Sequence, residues 1–150
     1  MKLLRLLLLT LPLLLLLVAC RKGDATPEDA AEAYVQAMLS NDGDFLNSHT
    51  CRTVPEGTST QSFLDLWSVG LALRQVGWTA DDVQSELTYE ITDESPNLVQ
   101  VAVRGTVVIP VNLPPSEFLE LPAGSIIIFD EIWRIFNEDN IWKWCGTSQQ

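Results

Sequence analysis

The chain has 150 residues, with nine basic and twenty acidic side chains and a formal charge of −11. That length holds one domain with a substantial core and excludes two. Lys2 and Arg5 are the only charged residues in the first twenty positions, so the rest carries seven basic against twenty acidic residues, a formal −13. Phosphate backbones and anionic lipid heads repel so acidic a domain, which argues against nucleic acid as a partner.

The first element is an address. Met1 to Arg5 is short and positive, and Leu6 to Val18 is a leucine run interrupted by Thr10 and Pro12. The run is shorter than the ~20 apolar residues that cross a bilayer as a helix. It has the proportions of a signal-peptide hydrophobic region. It ends in Leu17-Val18-Ala19-Cys20. This resembles the bacterial lipobox, in which small residues precede the cut and a cysteine follows it. The resemblance implies cleavage between Ala19 and Cys20, and a diacylglycerol on the Cys20 sulfur. It also implies acyl (palmitate-type) anchoring outside the cytoplasm, on a bacterial cell envelope membrane. Two or three acyl chains hold a protein stably where one does not. No other cofactor is expected. On this reading residues 1–19 are the signal and 20–25 the lipidated cysteine with its tether. Residues 26–146 are then the domain and 147–150 a tail. Arg21 and Lys22 suit lipid headgroups.

Thr26-Pro27-Glu28-Asp29 predicts a helix start, because threonine caps, proline suits the first turn and acids favour the positive helix end. Apolar residues from Ala30 to Leu39 follow at helical spacing, and Asn41 to Asp44 break them. Phe45 to His49 predicts a second, short helix, and Val54 to Gly57 a loop. Thr58 with Gln61 resembles a capping box before a third helix running from Phe63 to Val76, apolar almost all round and so expected to be well buried. Gly77 closes it.

From Asp82 the period becomes two. Val83, Leu87, Tyr89 and Ile91 predict one strand, and Ser95 to Asn97 a turn. Val99 to Ile109 predicts the next strand, with a bulge or bend at Gly105. Pro110 to Gly124, with four prolines, predicts a long loop. Ile126 to Phe136 predicts a third strand, and Glu138 to Asn140 a turn into Ile141 to Cys145. Helices followed by a four-strand meander predict an α+β fold.

With Cys20 assigned to lipid, Cys51 and Cys145 remain. An exported domain favours a disulfide between them, against two free thiols or a reactive Cys51.

The order of elements resembles the nuclear transport factor 2-like (cystatin-like) superfamily. The likeness rests on the alanine-rich helix from Pro27 to Asp42 and on Asp130 to Gly146, with Trp133-Arg-Ile135, an acidic turn and Trp142-Lys-Trp144. It also resembles bacterial lipoproteins of unknown function that end in Trp-Cys-Gly. The resemblance implies N-terminal helices packed on a curved four-stranded antiparallel sheet, forming a cone, over about residues 26–146. The fold hosts binders, isomerases, dehydratases and assembly modules alike.

Tyr34 is where isomerase-like members of that superfamily place an oxyanion-stabilising tyrosine. Such enzymes also need carboxylates, for which Glu56 and Asp130 are the conceivable residues. The alternative for Tyr34 is a core side chain with its hydroxyl bonded at the rim. Trp67, Trp133, Trp142 and Trp144 are pocket candidates beside Tyr34; with Trp78, the alternative for the tryptophans is core packing. His49, the single histidine, reads as a general base or, more plainly, a helix-end residue near Cys51. Asp81-Asp82, Asp93-Glu94 and Glu138-Asp139 sit at turns without calcium-loop spacing, and no metal site is expected. The expectation is a membrane-anchored, non-catalytic domain binding a small hydrophobic ligand or an envelope protein. The alternatives are an isomerase- or dehydratase-like enzyme, and an assembly lipoprotein forming a homodimer through its sheet face.

Overall fold

The computed structural model describes residues 26–54 and 61–148. The signal segment, Cys20, the tether, Glu56 and Thr58 lie outside the described residues.

Helix α1 (Pro27–Leu39) begins with a reciprocal cap. The Thr26 hydroxyl accepts from the Asp29 N–H at 3.1 Å, and the Asp29 carboxylate accepts from the Thr26 N–H at 3.1 Å. Asn41 turns the chain at φ 52°, a left-handed conformation that a short polar side chain tolerates. Helix α2 (Gly43–His49) starts at once, because Asp42 caps it by accepting from the Phe45 N–H at 3.0 Å. Gly43 and Asp44, expected in the break, are therefore helical.

Helix α3 (Gln61–Gln75) corrects the expectation of all-round burial. Leu66, Val69, Ala72 and Leu73 are buried, whereas Leu64 is 50% exposed and Phe63, Trp67 and Leu71 are only partly covered. The reason is layering: its outer side meets no helix or strand among the described residues, only the loop after β2, where Ser116 Oγ donates to Gln75 Oε1 at 2.9 Å. Its inner side lies so close to α1 that a Cβ on Gly70 would fall 2.1 Å from the Met38 carbonyl oxygen. Only glycine fits that crossing.

A 3₁₀ turn (Ala80–Asp82) leads into β1 (Gln84–Glu94), β2 (Leu98–Val108), β3 (Ile126–Glu138) and β4 (Ile141–Ser148). The strands lie in chain order, all antiparallel. The class is α+β. Gly105 is not a bulge, since it pairs without interruption with Leu87 and with Phe129. Its role is close approach: at φ 131°, a Cβ would stand 1.9 Å from the Glu86 carbonyl oxygen. The shift in register falls instead on β1, between Ile91 and Asp93. β4 continues through Thr147 and Ser148, where a tail is expected from sequence, and Thr147 is buried opposite Trp133.

The helices cover one face of the sheet. On that face Val99, Val101 and Val103 of β2 and Ile127, Phe129, Trp133 and Ile135 of β3 are buried. The other face carries Arg104, Asp130 and the exposed Ile126 and Ile128. A strap after α2 reaches β4: Thr50 pairs with Trp144, and the Cys51 N–H donates to the Trp144 carbonyl at 2.9 Å. Cys51 and Cys145 stand at disulfide distance, with Cα atoms 5.0 Å apart.

Candidate functional site

The space between α1, α3 and the sheet is occupied by aromatic side chains. Tyr34 of α1 is 1% exposed and stacks on Trp144 with ring centres 5.3 Å apart. Trp133 meets both edge-on, at 6.2 Å from Tyr34 and 6.1 Å from Trp144. Phe63 of α3 continues the stack onto Trp144 at 5.6 Å and onto Trp67 at 6.2 Å. Offset and edge-on contacts of this kind add stability beyond the area they bury.

The tyrosine and the inward carboxylate of this cluster have structural partners, whereas the buried Trp144 Nε1 has no acceptor among the described residues. The Thr50 hydroxyl donates its one proton to the Leu46 carbonyl at 2.6 Å, so the Tyr34 hydroxyl donates to Thr50 Oγ1 at 2.5 Å. Burial pushes the Tyr34 phenol up from 10.0 to about 12, against a smaller opposing pull from the Thr50 hydrogen bond.

Asp130 faces away from Tyr34 and pairs with Arg104 at 3.1 Å on the outer sheet face. The carboxylate that does face inwards is its neighbour, Glu131. It accepts from Ser62 Oγ at 2.8 Å and from Trp133 Nε1 at 2.9 Å, which fastens the start of α3 to the sheet. Alternation was the signal that could have found it: Ile127, Phe129, Glu131, Trp133 and Ile135 share one face.

Trp142, of the pocket candidates, lies on the wall of an open cleft rather than in the stack. The cleft has a volume of about 540 Å³ and lies between the first turns of α1, helix α2 and the β3–β4 turn. Its apolar walls include Ala30, Ala33, Phe45 and Trp142. His49, Asn137 and Asn140 bring polar groups to it. The β3–β4 turn is tight because Asp139 and Asn140 both adopt positive φ, 57° and 62°.

His49 is the last residue of α2, as its plainer reading expects. Its ring stacks on Phe45 at 3.8 Å with 3° between the planes. The Nδ1 atom lies 3.0 Å from the Phe45 carbonyl and 2.9 Å from Ser48 Oγ. Trp78 packs partly buried against the core. Asp82 caps its own turn by accepting from the Thr79 N–H at 2.8 Å. Glu138 pairs with Lys143, whose hydrogen bond holds the Glu138 carboxyl below the usual range. Among the described residues, no group of three histidine, cysteine or acidic side chains is placed to hold a metal ion. Among the same residues, no helix is long and apolar enough to cross a membrane.

A second groove lies behind the β3–β4 hairpin, on the outer sheet face. It has a volume of about 580 Å³ and is bounded by the Cys51–Thr53 strap, Leu98, Arg134, Phe136 and Cys145. The two sites are separated by strand alternation: Asn137 faces the first cleft, and Phe136 and Glu138 face the second.

Compared with known proteins, the chain matches no family model, no curated protein and no solved structure.

Proposed function

We propose that this chain is a membrane-anchored, extracytoplasmic lipoprotein whose domain is of the nuclear transport factor 2-like kind. The domain acts as a non-catalytic binding module for a small apolar ligand with hydrogen-bonding groups. One observation carries the reading: Tyr34, Trp133 and Trp144 occupy the interior, while a cleft of about 540 Å³ stays open at its rim. That volume lies within the ~300–1,000 Å³ range of small-molecule sites. The interior has the composition of a core, and its tyrosine and inward carboxylate are held by Thr50, Ser62 and Trp133. An isomerase needs those groups to converge on an open site.

The address supports the same reading. Leu17-Val18-Ala19-Cys20 supplies the attachment motif. Six peptide bonds link Cys20 to Thr26, and a chain of that length spans at most about 22 Å. The cleft wall includes Asp29 and Ala30 of the first α1 turn, so a lipid on Cys20 would hold the cleft close to the membrane surface.

Two experiments test the two parts separately. Labelled palmitate should enter the wild-type protein and not Cys20→Ser, and only the wild type should sediment with membranes. Palmitate-free protein in the membrane pellet would remove the lipoprotein reading. For the cleft, the neutral probe N-phenyl-1-naphthylamine should brighten on binding, and Ala33→Phe should abolish the response by filling the cleft. An unchanged response in Ala33→Phe would place binding elsewhere.

A further inference from the structure

The groove on the outer sheet face differs from the rest of this acidic molecule in charge. Arg52 and Arg134 both line it, and Lys143 reaches its edge through Glu138. Glu138 is the single acid on its walls among the described residues; Lys143 hydrogen-bonds that carboxylate, and Arg52 acts on it only through space, beyond ion-pair distance. By contrast, Arg104 on the same sheet face is shared between Glu90 and Asp130. Neither Arg52 nor Arg134 forms an ion pair among the described residues. The Arg134 Nε is buried without an acceptor among them. A desolvated guanidinium donor that lacks an acceptor is a standing cost, which an anionic group relieves.

The groove also has an apolar floor. Leu98 of β2 and Phe136 of β3 are direct cross-strand neighbours. Both line the groove, and Phe136 is 36% exposed. The Cys51–Cys145 pair closes the side opposite β2. Two guanidinium groups thus stand beside an apolar trough of about 580 Å³. Planar guanidinium forks match carboxylate and phosphate oxygens. The formal −11 of the chain does not forbid an anion here. Distant acids are screened over about 8–10 Å at moderate salt, whereas the arginines act at contact.

We infer that this groove binds a single-chain amphiphile with an anionic head group, a carboxylate or phosphate, held by Arg52 and Arg134 with its tail over Leu98 and Phe136. This site is distinct from the rim cleft and does not rest on it.

Photolabelling tests it on the full chain in nanodiscs of neutral lipid. The probes are dodecyl phosphate and dodecyl maltoside, each with a diazirine in the alkyl chain, and the labelled residues are mapped by mass spectrometry. The phosphate probe should label the segments around Leu98, Phe136 and the strap roughly tenfold more than the maltoside, the scale of one charge-assisted hydrogen bond. Arg52→Gln and Arg134→Gln together should remove that preference. Arg52 is exposed, so Arg52→Gln alone keeps the test valid if the double variant fails to fold; it should lower phosphate labelling severalfold. Dodecanoate should compete. Equal labelling by both probes, labelling at other segments, or an unchanged preference in Arg52→Gln would overturn the proposal. Displacement by phosphatidylglycerol placed in the disc would assign the groove to bilayer lipid and overturn it too.

Discussion

On the helix side of the sheet, Val99, Val101, Val103, Phe129, Trp133 and Ile135 are all buried. One residue along the same strands, Arg104, Asp130 and Ile128 face outwards, the last of them 76% exposed. The backbone geometry is the same on both faces, so the difference lies in what covers each. Two long helices and an aromatic stack cover the inner face, and the Cys51–Thr53 strap lies at one end of the outer face. The inner face therefore holds the fold together. The outer face is free to carry Arg134 without an ion pair, a charge that a core would not tolerate, and to leave Phe136 36% exposed.

The largest effect should come from the fastening of that strap. Replacing Cys51 and Cys145 together with serine frees a loop with 94 residues of separation, whose closure is worth about 4–5 kcal/mol by loop entropy. Urea unfolding of the double variant against the unreduced wild type measures it. A loss below 1 kcal/mol would mean the strap is held by its backbone bonds alone. Next in size is Trp133→Ala, which should cost about 3–5 kcal/mol by opening a cavity in the stack. The matched change on the other face, Ile128→Ala, should stay within about 0.5 kcal/mol. Similar losses for the two would break the contrast between the faces.

Much of the inner face was legible in the sequence, because burial on one side of a strand writes itself as alternation. Val99, Val101 and Val103 announce their face directly, as do the helix start at Thr26 and the tight turn at Asp139-Asn140. Other features escaped because they depend on neighbours. The all-apolar look of α3 predicts full burial, but only one of its sides meets α1 and the sheet. Gly105 looks like a bulge, yet the constraint on it comes from the Glu86 carbonyl on the next strand. Both surface sites join residues far apart in the chain: His49 with Trp142 in one, Arg52 with Arg134 in the other. Nothing in local spacing brings these together. Asp130 was the conceivable acid by type, and one step of alternation put Glu131 inside instead.

Tyr34→Phe probes the interior more gently. The variant keeps the ring stack and deletes one hydrogen bond to Thr50, a loss of about 1 kcal/mol at neutral pH. The distinguishing readout is alkaline. A tyrosine raised from 10.0 to about 12 stabilises the fold fully below pH 10. That contribution is lost as pH rises through about 12, because the unfolded chain ionises first. Tyr89, the other tyrosine, is also raised, by burial and then by Glu32. Stability should thus fall steeply above pH 10 in the wild type and less steeply in Tyr34→Phe. Identical alkaline profiles would show that the phenol is not buried as described.

The smallest effect belongs to the outer-face ion pairs, and its smallness is the point. Arg104 lies 3.1 Å from Asp130 and 3.8 Å from Glu90, with side chains 49%, 68% and 76% exposed. Water and salt screen charges so placed, and holding three long side chains together costs entropy. Arg104→Ala should therefore change unfolding free energy by less than about 1 kcal/mol, and less still in high salt. The same substitution leaves Glu90 and Asp130 facing each other across Arg104's strand without a cation. A salt-dependent loss well above that limit would mean that the outer face is covered in solution. Its charges would then be acting in a desolvated setting, as the inner face's polar groups do.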